Sequence, residues 1–326
     1  MLKIFEAFSG VGAQKMAVSN ITNEYEIVAT SEIDKTAIIA YNAIHYNKNM
    51  DFQLASNNIK NLGDISKIKN EKIPEHDIFT YSFPCQDISS IGTRKGLDKD
   101  SGTRSSLLWD CAKIIELKKP KYLILENVKN LVTGINKNNF YKWLNFLEKL
   151  GYENYWDILD SSDFGIPQRR KRVFVVSKYG KSNINLVKKN KFYEKNIYDI
   201  IDKKQDDWIE FIPKSKVKGN IEEGEIKFLD DRDWKMNGVM ISDICSTQRA
   251  GRSGLKYIKK VNNKIYERKL NALECCRLMG YKDEAYKNMK NANISDNSIM
   301  RLCGNSIVVN VIENIMMNIL EEEKYD

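Results

Sequence analysis

The chain has 326 residues, 42% hydrophobic and 29% charged, which fits a globular protein of one large domain with a satellite, or of two domains, and excludes a disordered one. A net charge of +8 suits a polyanionic partner, although lysines solvating the surface would give the same excess. Six cysteines with only Cys275 and Cys276 adjacent, and two histidines far from them, exclude a disulfide framework and make a metal site unexpected; with no apolar run of membrane-span length and no basic-then-apolar leader, a cytoplasmic protein with no membrane partner is the default.

Leu2 to Phe8 reads as a strand, followed by Ser9-Gly10-Val11-Gly12-Ala13 and a helix to about Ser19. A strand, a glycine turn and a helix let backbone approach a ligand closely, although a tight turn with no ligand has the same pattern. Tyr25 to Ser31 is the next strand, and Glu32 at its tip lies twenty residues beyond Gly12, where a carboxylate can bind the hydroxyl pair of a ribose. Asp34 reads as the N-cap of a helix from Lys35 to Tyr46. Leu62-Gly63-Asp64-Ile65 is expected to end a third short strand, with Asp64 either accepting from an adenine amine or standing as a surface turn residue.

Asp77 to Tyr81, β-branched and aromatic, predicts a buried strand that Pro84 stops, so that Cys85 stands at a strand's carboxyl end. A thiol there is either packed or nucleophilic. The polar, glycine-containing stretch from Asp87 to Arg104 has the length and composition of a functional loop, often a lid. Helical spacing resumes from Ser106 to Lys118, with Leu107, Leu108, Cys111, Ile114 and Ile115 on one side. Lys121 to Leu125 is another strand, ending in Glu126-Asn127-Val128, and Phe140 to Leu150 is an amphipathic helix. Gln168-Arg169-Arg170-Lys171-Arg172 leads into the strand Val173 to Val176, and alternation would point Arg170 and Arg172 to one face. From about Gly180 to Glu267 the α/β alternation stops, which predicts a smaller β-rich domain; Arg249 and Arg252 lie in a glycine-containing segment of the kind that contacts bases. Arg268 to Tyr281 is expected as one amphipathic helix ending at glycine, Ser298 to Leu302 as a short helix, and Gly304-Asn305-Ser306 as the opening of a final helix.

Together these stretches resemble the DNA cytosine-5 methyltransferases of the bacterial or phage restriction-modification type, from the first strand to the last helix. Phe8-Ser9-Gly10-Val11-Gly12 is similar to the family's cofactor loop, Pro84-Cys85-Gln86 to its nucleophile motif, Glu126-Asn127-Val128 to its acid motif and Gln168 to Arg172 to its glutamine-arginine motif. The segment from Arg268 to Tyr281 and Gly304-Asn305-Ser306 match two C-terminal motifs. Ala13 replaces a usual second glycine, Ser82 stands where a smaller residue is usual, and Thr247-Gln248 replaces the usual threonine-leucine.

The resemblance implies an α/β, doubly wound Rossmann-like sheet of the S-adenosylmethionine-dependent methyltransferases. It would be formed by residues 1–180 and completed by 295–326, with a smaller β-rich target-recognition domain over 181–294. It implies that Cys85 attacks carbon 6 of a flipped-out cytosine, that Glu126 holds the base, and that Arg170 or Arg172 contacts its carbonyl. The cofactor residues would be Phe8, Gly10, Gly12, Glu32, Ile33, Asp64, Ile65, Pro84, Leu107, Asn305 and Ser306. Gln86, Ile91, Arg94, Arg249 and Arg252 would contact double-stranded DNA, held by a monomer; a cognate restriction endonuclease, acting separately, is left open. A transfer-RNA methyltransferase of the same family shares the catalytic motifs, and a non-catalytic DNA-binding protein would make the thiol dispensable. An amino-methyltransferase is disfavoured, because Ser82-Phe83-Pro84-Cys85 lacks the proline-proline-aromatic motif.

Overall fold

The computed structural model describes residues 1–84, 107–190, 194–213, 215–233, 238–250 and 255–325. Contacts divide the chain into two compact units. One comprises 1–159, 171–190 and 311–326, and the other 160–170 and 191–310.

The first unit begins with β1 (Leu2–Ala7), α1 (Ala13–Ile21), β2 (Tyr25–Ser31), α2 (Lys35–Tyr46), α3 (Phe52–Asn58) and β3 (Ile78–Tyr81). It continues through α4 (Leu107–Lys118), β4 (Tyr122–Val128), α5 (Lys137–Lys149) and β5 (Tyr152–Asp160). After β6 (Gln168–Arg169), which pairs in the other unit, β7 (Lys171–Tyr179) completes a sheet of order β2-β1-β3-β4-β7-β5. β1, β2, β3 and β4 run parallel and β7 antiparallel to β4. The strands are near-continuous apolar runs because helices cover such a sheet: Ile78–Tyr81, Tyr122–Leu125 and Val173–Val176 are all buried. Phe5, Phe79, Tyr81 and Trp143 anchor the core, with Trp109 and Phe146 packed against it. The expected third short strand does not form. Thr30 and Asn61 make a single parallel bridge, and Asp64 caps a 3-10 turn over Ile65–Lys67.

The second unit carries α6 (Ile197–Ile200), β8 (Ile209–Glu210), β9 (Lys216–Lys218), β10 (Ile226–Asp233), β11 (Gly238–Ser242), β12 (Cys245–Ser246), β13 (Leu255–Val261) and β14 (Lys264–Lys269). These form a sheet of order β8-β14-β13-β10-β11-β9 and a two-stranded β12-β6 ribbon. Three helices follow, α7 (Ala272–Arg277), α8 (Asp283–Asn291) and α9 (Asp296–Asn305). The helix expected over Arg268–Tyr281 is shorter, because Arg268 pairs with Tyr257 in the β13–β14 ladder. Asn271 then caps α7 in a reciprocal capping box with Glu274, whose carboxylate also meets the Arg268 guanidinium, both fully buried. Gly304 and Asn305 end α9, and the last helix, α10 (Val309–Glu322), starts beyond Ser306.

The unit boundaries differ from those expected at 180 and 295. Residues 181–190 belong to the first unit, and α10 holds several of them. Asn314 and Asn318 donate to the Leu186 and Lys188 carbonyls, and Glu322 accepts from the Asn183 amide. Among the described residues no single helix is long and apolar enough to cross a membrane.

Candidate active site

The parallel register brings the first unit's candidate residues level. Ala7 pairs with both Ser31 and Tyr81, and Thr80 pairs with Ile124. Phe8, Glu32 and Ser82 therefore leave their strands at one edge, the carboxyl end, and Glu126 lies level with Ser82 within the last residues of β4, where it pairs with Phe174. The chain order reverses at β1, between β2 and β3, and open α/β sheets hold ligands in the crevice at such a switch point.

Glu32 ties the glycine loop to the β2 tip. Its carboxylate accepts from the Gly10 amide at 2.9 Å and from the Ile33 and Asp34 amides at 2.8 Å each. Phe8 has φ +54°, a left-handed conformation that costs a bulky residue about 1–3 kcal/mol and marks a site held by its surroundings. Gly12 also has positive φ, and a Cβ there would collide with the His45 and Tyr41 rings. Ile33 is 72% exposed, an apolar side chain in water beside Glu32. Ser9 Oγ is buried with no hydrogen-bond partner. The sequence signal for Ser9 is its place between Phe8 and Gly10.

Asp64 accepts from the Ser66 hydroxyl at 2.8 Å and the Ser66 amide at 3.1 Å, and pairs with Lys67 at 3.4 Å. The Ser66 hydroxyl bond, above all, holds its carboxyl below the usual range. Ile65 is buried in the core, against which Leu107 packs, and Pro84 is half-buried.

At the tip of β4, Glu126 is buried and Arg172 Nε lies 3.3 Å from its Oε1. Arg172 pairs with Val128, two residues from Glu126 on the same sheet face, so the two side chains are diagonal neighbours. Asn127, on the other face, donates from Nδ2 to the Phe83 carbonyl at 3.0 Å, which fixes the backbone just before Pro84-Cys85. That role went unread in the sequence. Cys85, Gln86, Ile91, Arg94 and Arg252 lie outside the described residues.

Alternation was expected to point Arg170 and Arg172 to one face, and the two side chains meet different partners. Arg170 belongs to the second unit, where its guanidinium donates to the carbonyls of Gln248, Gly304 and Ser306 at 2.9, 3.0 and 2.5 Å. Arg172 reaches Glu126, and the strand breaks between β6 and β7, at Arg170. Arg249 and Asn305 are exposed and Ser306 is half-buried, all in the second unit.

A mostly parallel sheet with a ligand loop at its switch point, a ribose-type carboxylate on the next strand and a carboxylate–arginine pair beyond has the build of a methyltransferase. The family model for C-5 cytosine-specific DNA methylases matches residues 2–321. The type II methyltransferase M2.ScrFI of Lactococcus lactis subsp. cremoris is 37% identical over 375 aligned positions, covering 99% of this chain and 100% of the relative. M.HhaI of Haemophilus parahaemolyticus is 30% identical, with 98% and 94% covered. The Dnmt2 methyltransferase of S. pombe has the same fold, with a TM-score of 0.70, 18% identity and both chains covered completely. The chain belongs to the C-5 cytosine-specific DNA methylases, enzymes that transfer a methyl group to carbon 5 of cytosine in DNA.

Proposed function

We propose that the protein takes its methyl group from S-adenosylmethionine and delivers it to a cytosine flipped out of a specific short duplex sequence, through a covalent adduct with Cys85. The observation that carries the proposal is the Glu126–Arg172 pair, level with the strand end that runs into Pro84-Cys85. The first unit suits the methyl donor. Glu32 retains lone pairs for ribose hydroxyls, exposed Ile33 and half-buried Phe8 offer apolar faces to adenine, and the Ser9 hydroxyl wants a polar partner. Asp64, Asn305 and Ser306 enter on the motif resemblance. When bound, the donor supplies an electrophilic methyl group on a sulfonium.

Carbon 5 of cytosine is too weak a nucleophile to take that methyl group unaided. The Cys85 thiolate adds to carbon 6, and the displaced electron pair makes carbon 5 nucleophilic. Glu126 holds the base at ring nitrogen 3 and the exocyclic amine, where charge develops. Arg172 orients Glu126 and contacts the base carbonyl. After methylation, loss of the carbon-5 proton returns the electron pair and expels the thiolate. A stacked cytosine cannot be reached in this way, so the base must leave the helix.

Bisulfite sequencing of mixed duplexes treated with protein and S-adenosylmethionine tests this. Cytosines protected within one short sequence are the expected result. Methyl incorporation into transfer RNA and not into duplex would overturn the proposal in favour of the RNA-modifying branch.

A further inference from the structure

The segment from Cys245 to Ala250 is fastened along its length to two other stretches of the second unit. Cys245 and Ser246 pair in parallel with Gln168 and Arg169. The Thr247 hydroxyl donates to the Arg169 carbonyl at 2.7 Å, and the Gln248 amide donates to Gln168 Oε1 at 2.8 Å. Arg170 then binds the Gln248 carbonyl through Nη1 and the Gly304 and Ser306 carbonyls through Nη2. One buried, planar guanidinium thus joins the Thr247–Arg249 segment to the turn after α9. Its fork sets the spacing of three carbonyls at once, which a lysine cannot do.

A second contact joins the same two stretches independently. Gly304 has ordinary helical backbone, yet a Cβ on it would overlap the Ala250 amide nitrogen and the Arg249 carbonyl carbon. Glycine is needed there for close approach, not for its conformational freedom. The turn itself is held by the Tyr281 hydroxyl, which donates to Ser306 Oγ at 2.5 Å.

We propose that Arg170 and the Gly304–Ala250 contact couple DNA binding on the Thr247–Arg249 segment to methyl-donor binding on the Asn305–Ser306 turn, so that each ligand strengthens the other. Arg170 is then a positioning residue, not a catalytic one. This rests on the proposed reading that the first segment meets DNA and the second the donor.

The test measures the duplex Kd with and without S-adenosylhomocysteine, together with donor binding alone, for wild type, Arg170→Lys and Gly304→Ala. Wild type should bind duplex more tightly when S-adenosylhomocysteine is present, by a factor in the roughly 5–150-fold range of ordinary coupling. Both variants should bring that ratio towards one. A purely structural role would lower the melting temperature and both affinities while leaving the ratio unchanged. If Arg170→Lys fails to fold, Gly304→Ala still reads the ratio with every Arg170 hydrogen-bonding group in place. Wild type binding both ligands with a ratio of one, or variants keeping the wild-type ratio, overturns the coupling alone; wild type that binds neither ligand overturns the functional reading and the coupling with it.

Discussion

Arg170 and Arg172 are two residues apart and do different work, which decides what each substitution should do. Arg172 meets the Glu126 carboxylate near the strand end, whereas Arg170 donates to backbone carbonyls. Arg172→Ala should lower kcat by about 10²–10³, the cost of removing one donor that stabilises developing charge. The check is methyl incorporation at saturating DNA and donor, and a kcat within threefold of wild type would contradict the role. A buried acid beneath the cofactor loop gives a different prediction. Glu6, fully buried on β1, accepts from the Tyr41 hydroxyl at 2.6 Å, and burial raises its pKa from 4.5 to about 7 despite Tyr41 and Lys15. Lys15, above the Tyr46 ring, is lowered by burial to about 8. The folded state holds the Glu6 proton more tightly than the unfolded state. Its contribution is therefore complete below pH 4.5 and lost as pH rises through 7, about 3 kcal/mol in all. Glu6→Gln should flatten that limb of a stability-against-pH curve from denaturant unfolding; an unchanged slope would contradict it.

At the scale of elements, strands with continuous apolar runs were legible and boundaries set by pairing were not. Nothing in the 3.6-residue spacing of Arg268 to Tyr281 reveals that β13 claims Arg268 as a ladder partner, since pairing is a long-range choice. The third strand failed for a related reason, because Leu62-Gly63-Asp64 offers too few consecutive apolar residues to hold a ladder and yields to local capping by Asp64. The polar stripe of α10 was also hidden. Asn310, Asn314, Asn318 and Glu322 recur every fourth residue and look like a solvent face, yet Asn314, Asn318 and Glu322 are fully buried. They satisfy carbonyls and amides of residues 183–190, and Glu322 pairs with buried Lys178 at 2.7 Å. Glu322→Ala breaks that buried ion pair and removes the acceptor of the Asn183 amide, which should cost about 3–5 kcal/mol, and Asn318→Ala should cost about 2 kcal/mol, in equilibrium unfolding. Losses under 1 kcal/mol would mean that the stripe is not holding residues 183–190.

For the whole molecule, the motifs appeared in the sequence in the order the fold uses them, so the strand-tip residues Glu32 and Glu126 were legible before any geometry. The grouping of Asp160–Arg170 with the second unit was not, because it depends on Gln168 and Arg170 finding carbonyls more than seventy residues away in sequence. The net charge of +8 supports the affinity expected of a protein that neutralises phosphates. Duplex binding should weaken linearly on a log–log plot against salt, by about 0.9 per phosphate contacted, and a flat dependence would exclude a phosphate-tracking interface. The claim on which the rest depends is the covalent attack by Cys85. Duplex carrying 5-fluorocytosine at the target position blocks loss of the carbon-5 substituent and should trap the enzyme as a denaturant-stable complex in the presence of S-adenosylmethionine. The account predicts a shifted band for wild type and none for Cys85→Ser; a Cys85→Ser protein that traps as well as wild type would contradict it.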